Sequence, residues 1–227
     1  MGKIVGLVGF IGSGKGTVAE TLVKRYNYRQ DSFAASLKDA CAVMFDWPRH
    51  LLEGDTTESR EWREIPDVWW GEQLGIENFT PRYALQYIGT DVLRSHFSQD
   101  IWFLTLQNRL RKNPNQDVII SDVRFPNEIK FIQDQGGAIV RIHRGEDPAW
   151  FDIAKRANNG DIWSKSLMTQ DPDLKKIHQS EWAWVGSRID YTIMNSGTLL
   201  DLRCEAHIFA ERMATTGDGN ILALHNA

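Results

Sequence analysis

The stretch that decides the fold is IVGLVGFIGSGKGT, residues 4–17. Its first part, Ile4 to Val8, is an apolar run with the length of a buried strand. Four glycines follow between residues 9 and 16. Behind them, one face of an amphipathic helix of about three turns is marked by Val18, Leu22, Val23 and Tyr26. A strand, a glycine-rich turn and a helix in this order predict the opening unit of an α/β protein.

The glycine-rich turn has the spacing of a phosphate-binding loop, because Gly9 and Gly14 frame four residues and Lys15 follows. Glycines let successive backbone N–H groups turn inward, the helix N-terminus adds positive potential, and the lysine reaches the outer phosphates. The predicted phosphate-binding residues are Gly9, Gly12, Ser13, Gly14, Lys15, Gly16 and Thr17. The alternative is a glycine turn that merely contains a lysine.

The residue after the lysine departs from the general pattern, which has Ser or Thr at that place. Here Gly16 follows Lys15, and Thr17 comes one step later. GKGT resembles the loop of adenylate kinase and other nucleoside monophosphate kinases more than that of GTPases or motor ATPases.

Composition limits the partners. The 227 residues carry 26 Lys and Arg against 30 Asp and Glu, a net charge of −4. A general nucleic-acid or anionic-membrane surface normally needs a basic excess, so we expect neither partner. Without an apolar run of ~20 residues, we expect a cytoplasmic protein. The widely separated Cys41 and Cys204 indicate two buried thiols in a reducing compartment.

Helices and strands alternate along most of the chain. Five further helices are predicted: Ser36 to Phe45, Pro81 to about His96, about 100–110, Pro126 to Gly136, and one that starts at Thr198. Ser36 would cap the first of these. The last would carry one apolar stripe, formed by Leu199, Leu202, Ala206 and Phe209. Further strands are predicted at 117–121, 138–142 and 191–194. The fold class predicted is therefore α/β, a single P-loop domain over 1–227 with a parallel sheet and helices on both faces. No regular structure is expected from Ala214 onward.

Two long polar segments interrupt this pattern, at 46–80 and 144–182. Trp47, Trp62, Trp69 and Trp70 lie in the first and Trp163 in the second. Both segments are longer than connections in a compact domain should be without a function, so we expect two flaps with few buried contacts in the free protein. Their tryptophans would close over a base or exclude water.

The sequence DVIISDVR puts Asp122 and Arg124 at the carboxyl end of a predicted buried strand, where open α/β sheets bind ligands. Asp122 could hold magnesium directly or through water, and Arg124 could neutralise charge on a transferred phosphoryl group. Alternatively, Asp122 caps the next turn and Arg124 pairs with Glu128.

The predicted helix from Pro81 carries a polar stripe opposite its apolar face. Residues four apart form this stripe: Arg82, Gln86, Thr90 and Arg94. The apolar face would consist of Ala84, Leu85, Ile88 and Val92. A stripe of this kind is usually a solvated helix face.

RYALQYIGTDVLR at 82–94 resembles the R..LQ..GTD segment of the phage deoxynucleoside monophosphate kinases, the family of the T4 enzyme. Other matching pieces follow in order: FAASLKDA at 33–40, DIW at 100–102, SDVR at 121–124, HQSE at 178–181 and IMNSGTL at 193–199. The resemblance covers roughly residues 3–202, with 46–79 and 144–177 the weakest parts. It implies an acceptor-binding insertion at about 34–97 and a lid at about 144–182.

The resemblance also implies roles for individual residues. Lys38, Arg82, Gln86, Asp91, Arg94 and Arg124 would face the acceptor nucleotide. Asn195 would lie near the adenine of ATP, and Asp122 with Thr17 would serve the magnesium ion. His178, Ser180 and Glu181 match a family motif without an assigned role, His178 being a phosphate contact or a capped loop histidine. Arg144 and Arg156 are candidates for lid arginines, with solvated surface arginines as the alternative.

The function implied is transfer of the γ-phosphoryl of ATP, with Mg²⁺, onto a deoxynucleoside 5′-monophosphate, with Lys15, Asp122 and Arg124 as catalytic residues. The runner-up is a kinase for another small phosphorylated acceptor, such as dephospho-coenzyme A or phosphomevalonate. A nucleotide-binding switch or ATPase is the alternative from another class. A homodimer is left open, and a phage-encoded chain would work in the host cytoplasm.

Overall fold

The computed structural model describes residues 2–215, and these form two compact units. Of the described residues, 2–32 and 113–215 form one unit, and we call it the sheet unit. The other, Phe33–Lys112, is called the helical unit.

The sheet unit is built on a five-stranded sheet with the order β2-β3-β1-β4-β5. Its strands are β1 (Ile4–Val8), β2 (Arg29–Asp31), β3 (Val118–Ile120), β4 (Ala138–His143) and β5 (Tyr191–Met194). Every pairing is parallel; Ile4 lies opposite Val118, and Val5 lies opposite Ala138. The predicted parallel α/β sheet is confirmed. Strand β2 was not predicted, because Arg-Gln-Asp is short and polar, as an edge strand can be.

Helices cover both faces of this sheet. They are α1 (Lys15–Tyr26), α7 (Pro126–Asp134), α8 (Phe151–Asn158), α9 (Ile162–Gln170), α10 (Gln179–Trp182) and α11 (Leu199–Thr215), with a 3₁₀ turn at Leu174–Lys176. Val5 and Leu7 share a core with Leu22 of α1 and Phe209 of α11. A Cβ on Gly6 would instead meet Ile132 of α7. Because neighbouring strand residues point to opposite faces, α7 lies across the sheet from α1 and α11.

Three expectations for the C-terminal part need correction. Leu199 is 55% exposed and so does not belong to the buried stripe, which Leu202, Ala206 and Phe209 do form. Cys204 is exposed, whereas Cys41 is buried, and burial raises the pKa of the Cys41 thiol to about 11. Helix α11 includes Ala214 and Thr215, and the rest of the predicted irregular tail lies outside the described residues.

The helical unit consists of consecutive helices. They are α2 (Ala35–Phe45), a 3₁₀ turn (Arg49–Leu52), α3 (Thr57–Trp62), α4 (Val68–Leu74), α5 (Pro81–Gln86), a π-helix (Tyr87–Phe97) and α6 (Ile101–Lys112). Ser36 does not cap α2, which begins one residue earlier; its hydroxyl accepts a hydrogen bond from Arg109. Thr80 caps α5 as expected, by accepting from the backbone N–H of Tyr83.

The segment 46–80 contains a small aromatic core. Trp47 stacks on Phe45 with ring centroids 4.4 Å apart, and both rings contact Phe79. Trp62 and Trp70 meet the same cluster edge-on. The expectation of few buried contacts is therefore wrong for this segment, and most of its tryptophans serve packing. Trp69, 59% exposed, is the exception.

The segment 144–182 is also anchored. Ala154, Met168 and Trp182 are buried, and the Asn158 side-chain amide donates to the carbonyls of Trp182, Ala183 and Val185 at 2.8–3.2 Å. Its expected lack of buried contacts is wrong as well. Ile162 and Trp163, at the start of α9, are the exposed part, with 84% and 70% of their surface accessible.

The helix after Pro81 is α-helical only to Gln86 and continues as a π-helix. A π-helix has i→i+5 hydrogen bonds and so more residues per turn than an α-helix, which changes the repeat of the apolar face at Tyr87. Val92 is accordingly exposed, contrary to its predicted place on the apolar face, and Gly89 is buried instead. A Cβ on Gly89 would approach Leu37 to 2.6 Å, and the Gly89 carbonyl accepts from the Trp102 indole. Of the predicted polar stripe, Arg82, Gln86 and Thr90 are exposed and Arg94 is half-buried.

A bilayer-spanning helix would need greater length and apolarity than any helix within residues 2–215 possesses.

Candidate active site

The loop between β1 and α1 has the backbone that phosphate binding needs. Gly9, Gly12 and Gly14 all have positive φ, at 142°, 78° and 106°. A Cβ on Gly9 would lie 2.5 Å from the Ile142 carbonyl oxygen, and one on Gly14 would lie 2.7 Å from Leu202. A Cβ on Gly12 or on Gly16 would have no neighbouring heavy atom within 4 Å. Two glycines are thus required by packing, and two face open space that a ligand can approach.

Two side chains from elsewhere in the sheet unit hold the loop backbone. Asn195 Nδ2 donates to the Ser13 carbonyl at 2.8 Å, and Arg144 Nη1 donates to the Gly12 carbonyl at 3.2 Å. The buried hydroxyl of Ser13 has no hydrogen-bond partner within the described residues. An orphaned hydroxyl inside a glycine cradle fits a phosphate oxygen, because such an oxygen accepts its hydrogen bond.

Lys15 is folded back onto its own loop. Its Nζ donates to the carbonyls of Gly9 at 2.6 Å and Phe10 at 2.9 Å. Burial, and next the nearby Arg124 guanidinium, lower the pKa of Lys15 to about 8, while Glu181 opposes the shift. The predicted Lys15 and Arg124 are therefore close enough to interact, and they concentrate positive charge beside the loop.

Arg124 pairs with Glu181 and not with Glu128. Its Nη1 donates to Glu181 Oε1 at 2.9 Å and to Ser180 Oγ at 3.2 Å. Glu128 instead accepts from the backbone N–H groups of Arg124 and Phe125, at 2.7 and 3.0 Å, and so fixes the start of α7. His178 caps α10 by accepting from the Ser180 backbone N–H, and its ring also contacts the Ser180 hydroxyl.

Asp122 and Thr17 provide hard oxygen donors in the sheet unit. Asp122 is half-buried just after β3, and Thr17 is half-buried in the first turn of α1. Residues 2–215 contain no group of three or more His, Cys, Asp or Glu side chains that could hold a metal alone. Mg²⁺ commonly binds through one or two protein oxygens together with waters and substrate phosphates, so this donor set fits it.

The loop also rests on an aromatic cage that the sequence did not predict. Phe10 contacts Trp150 and Trp184, with ring centroids 5.4 and 5.2 Å apart. The Arg141 guanidinium lies 4.9 Å from the Phe151 ring and pairs with Asp147. The sequence feature that could have indicated this cage is Arg141, a charged residue inside the largely apolar strand sequence AIVRIH. Beside it is a cavity of about 70 Å³ lined by Phe10, Ile11, Gly12, Ser13, Arg141, His143, Arg144 and Asp147.

Arg156 and Arg144 differ in their surroundings. Arg144 contacts the loop, as described above, whereas Arg156 is exposed in the last turn of α8. Arg156 is near Asp161, whose pKa is lowered chiefly by its hydrogen bond from Ser164. Within residues 2–215, no hydrogen bond or ion pair joins Arg156 to the phosphate loop.

Apart from Arg124, the predicted acceptor residues lie in the helical unit, and the structure gives two of them acidic partners. Lys38 is buried and pairs with Glu53 at 2.6 Å. Arg49 contacts the same carboxylate, and the two cations lower the pKa of Glu53 against the effect of its burial. Arg82 pairs with Glu64 at 2.9 Å in an exposed position. Gln86 and Asp91 are exposed, and Arg94 is half-buried.

Arg63 lies next to Glu53 of the Lys38–Glu53 pair, and the sequence analysis did not indicate it. A Cβ on Gly54 would lie 1.9 Å from its Nη2, so the guanidinium covers the backbone directly after Glu53. The backbone carbonyl of Arg63 also accepts from the N–H of Arg82. Arg63 therefore connects the Lys38–Glu53 pair with Arg82.

Comparison with known proteins identifies the family. A family model described as deoxynucleotide monophosphate kinase matches residues 49–153. The putative deoxynucleotide monophosphate kinase of Acanthamoeba polyphaga mimivirus is 37% identical over an alignment that covers 62% of this chain and 74% of the relative. The chain belongs to the deoxynucleotide monophosphate kinase family. The deoxynucleoside-5′-monophosphate kinase of Escherichia phage T5 is 26% identical over 59% of this chain and 73% of its own length.

Among solved structures, dephospho-CoA kinase from Campylobacter jejuni aligns with 93% of this kinase and 97% of its own chain, at a TM-score of 0.45 and 14% identity. The family resemblance read from the sequence is confirmed by the viral and phage relatives. Membership makes the chain a kinase, so the alternative of a non-kinase switch is set aside.

Proposed function

We propose that this kinase transfers the γ-phosphoryl group of ATP to a deoxynucleoside 5′-monophosphate and so forms the diphosphate. The observation that carries the proposal is the placement of Lys15 and Arg124 beside a glycine loop with an orphaned Ser13 hydroxyl. Two cations and a ring of backbone N–H groups match the charge of a polyphosphate.

In this proposal, Lys15 exchanges the carbonyls of Gly9 and Phe10 for phosphate oxygens, and Arg124 neutralises charge on the group in transfer. The acceptor phosphate is already anionic near neutral pH, so no strong general base is needed. Thr17 and Asp122 would hold Mg²⁺, which when bound neutralises charge on the phosphates. Asn195, besides supporting the loop, would lie near the adenine.

The acceptor would be bound by the helical unit. Lys38, Arg82 and Arg94 supply positive charge for its monophosphate, while Gln86 and Asp91 offer hydrogen-bonding groups for the sugar or base. We propose residues 34–97 as the acceptor-binding insertion and 144–182 as the lid, with Arg144, Arg156, His178 and Glu181 as its candidate polar groups. A cytoplasmic site of action is part of the same proposal.

A coupled assay of ADP release tests the reaction. The enzyme is supplied with ATP, Mg²⁺ and a panel of ribo- and deoxynucleoside monophosphates, with dephospho-coenzyme A and phosphomevalonate as competing acceptors. Deoxynucleoside monophosphates are expected to stimulate ADP release and to yield diphosphates. ADP release that no acceptor stimulates, or that only dephospho-coenzyme A stimulates, would contradict the proposal.

The acceptor role predicts a division of kinetic effects. Arg82→Ala and Arg94→Ala should each raise the KM for the acceptor about 10- to 100-fold, because a charge-assisted bond to phosphate is lost. The KM for ATP should change less than about twofold. Arg111→Ala is the matched control: Arg111 is an exposed arginine of the same unit, bonded to Asn108. Weaker ATP binding with unchanged acceptor kinetics would show that the assignment is wrong.

ATP binding should depend on pH through Lys15. The pKa of Lys15 is about 8 in the free protein, so its ammonium is charged at pH 7 and becomes neutral as the pH rises toward 9 and above. Bound phosphate favours the charged form, so the Kd for a non-hydrolysable ATP analogue should rise up to about tenfold between pH 7 and 9.5. Titration calorimetry measures this. Lys15→Arg, charged throughout, should give a flat profile, and a flat wild-type profile would contradict the assignment.

A further inference from the structure

The Arg124 guanidinium donates hydrogen bonds to two residues of the motif HQSE, Ser180 and Glu181. Both contacts use one nitrogen: Nη1 donates to Ser180 Oγ and to Glu181 Oε1. An Nη1 group has two hydrogens, so these bonds use both. The remaining Nε–H and Nη2 donors form the fork that binds two oxygens of a phosphate.

Ser180 is itself oriented by His178. The Ser180 hydroxyl and the ring Nδ1 of His178 are 2.8 Å apart, and the Ser180 backbone N–H also points to that nitrogen. With Nδ1 accepting, the hydroxyl hydrogen points to the ring and the oxygen lone pairs are left for Arg124. His178 therefore contributes to the position of Arg124 without contacting it.

Packing and hydrogen bonds anchor the segment that carries Glu181. The Trp184 indole donates to the Glu181 carbonyl at 3.0 Å, and Trp182, Trp184 and Val185 are 0–6% exposed. Asn158 ties the carbonyls of this stretch to α8 with three hydrogen bonds. A carboxylate on such a base can hold an arginine in one orientation, whereas Arg124 alone, 47% exposed, would sample several.

The same segment packs on the phosphate loop, since Trp184 contacts the ring of Phe10. Glu181 is also near enough to Lys15 to oppose the lowering of its pKa. The carboxylate thus fixes Arg124 relative to the loop and the lysine, as an enzyme needs for a group that acts on the transferred phosphate.

We propose that Glu181 and Ser180 are positioning residues that hold Arg124 with its phosphate-binding fork directed away from them and available to the phosphoryl group. This inference rests on the proposed role of Arg124 in phosphoryl transfer. A carboxylate this close to the phosphates repels them, so it should cost ATP affinity while it increases turnover.

A double-mutant cycle between Glu181 and Arg124 tests the proposal. Glu181→Ala should lower kcat about 10- to 100-fold, as misplacement of a catalytic group does, while the KM for ATP stays unchanged or falls. Glu181→Gln keeps the acceptor oxygen and should recover part of the loss, and Ser180→Ala should show a smaller loss. In the Arg124→Ala background, Glu181→Ala should change kcat less than about twofold.

Asp134→Ala is the control, because it breaks the exposed Lys130–Asp134 ion pair of the same unit and should leave kcat unchanged. Circular dichroism and thermal unfolding establish that each variant is folded. Equal losses from Glu181→Ala in both backgrounds would overturn the positioning role. An Arg124→Ala enzyme with normal kcat would overturn the role of Arg124 and this inference with it, while ADP release with deoxynucleoside monophosphates would still uphold the kinase reaction.

Discussion

Lys15→Ala is expected to lower kcat about 10²- to 10³-fold, the loss typical of removing one preorganised group that stabilises charge in a transition state. The lysine follows a loop whose glycines have the required backbone, and its ammonium lies beside Arg124. Coupled ADP release with saturating ATP and acceptor measures kcat. The fold should persist, because Lys15 hydrogen-bonds only to carbonyls of its own loop within the described residues.

Lys24→Ala provides the matched control for this experiment. Lys24 is on the same helix, α1, where it is exposed and pairs with Glu20. Its loss should leave kcat within about twofold of the wild type. If Lys15→Ala retained near-normal kcat while folded, the assignment of the phosphate-binding loop would be wrong.

Trp47→Ala is expected to reduce the free energy of unfolding by about 3–5 kcal/mol, the cost of deleting a large buried aromatic side chain. Trp47 is 7% exposed, stacks on Phe45, and donates its indole N–H to Asp67 at 2.8 Å. The substitution leaves a cavity in the aromatic core of the helical unit and removes a hydrogen-bond partner from Asp67. Urea unfolding followed by circular dichroism measures the effect.

Trp69→Ala is the control for Trp47→Ala, because it removes an exposed tryptophan of the same segment instead of a buried one. Trp69 is 59% exposed in the same segment, and its removal should change the free energy of unfolding by less than about 1 kcal/mol. Similar stabilities of the Trp47→Ala and wild-type proteins would contradict the buried aromatic core. They would also revive the expectation that the Trp47 side chain serves ligand closure.

Local patterns predicted several regular elements of the sheet unit, but not β2 or the helices α8, α9 and α10. The run Ile4–Val8 forms β1 with the expected bounds, and Tyr191–Met194 forms β5. Helix α7 starts at Pro126 as predicted. Hydrophobic period and turn residues are properties of neighbouring positions, so they can be read without knowing the rest of the chain.

Elements that depend on distant partners were missed. The polar strand β2 exists because its backbone pairs with β3, far along the chain. The π-helix at Tyr87–Phe97 has no signature in residue spacing, and it brings Gly89 rather than Val92 against Leu37. The tryptophans of 46–80 looked like ligand contacts because the segment has no regular period that would show which of its aromatic rings pack together.

The sequence by itself determined the phosphate loop, the parallel sheet and the family, because glycine spacing, apolar strands and short motifs are each local. Only the tertiary structure decided the partners of the charged groups. Arg124 had Glu128 as the nearer candidate in sequence, yet its guanidinium pairs with Glu181, 57 residues away, because Glu128 is used by backbone N–H groups at the start of α7. A side chain's partner is set by which groups packing brings within about 3 Å, and sequence distance carries little of that information.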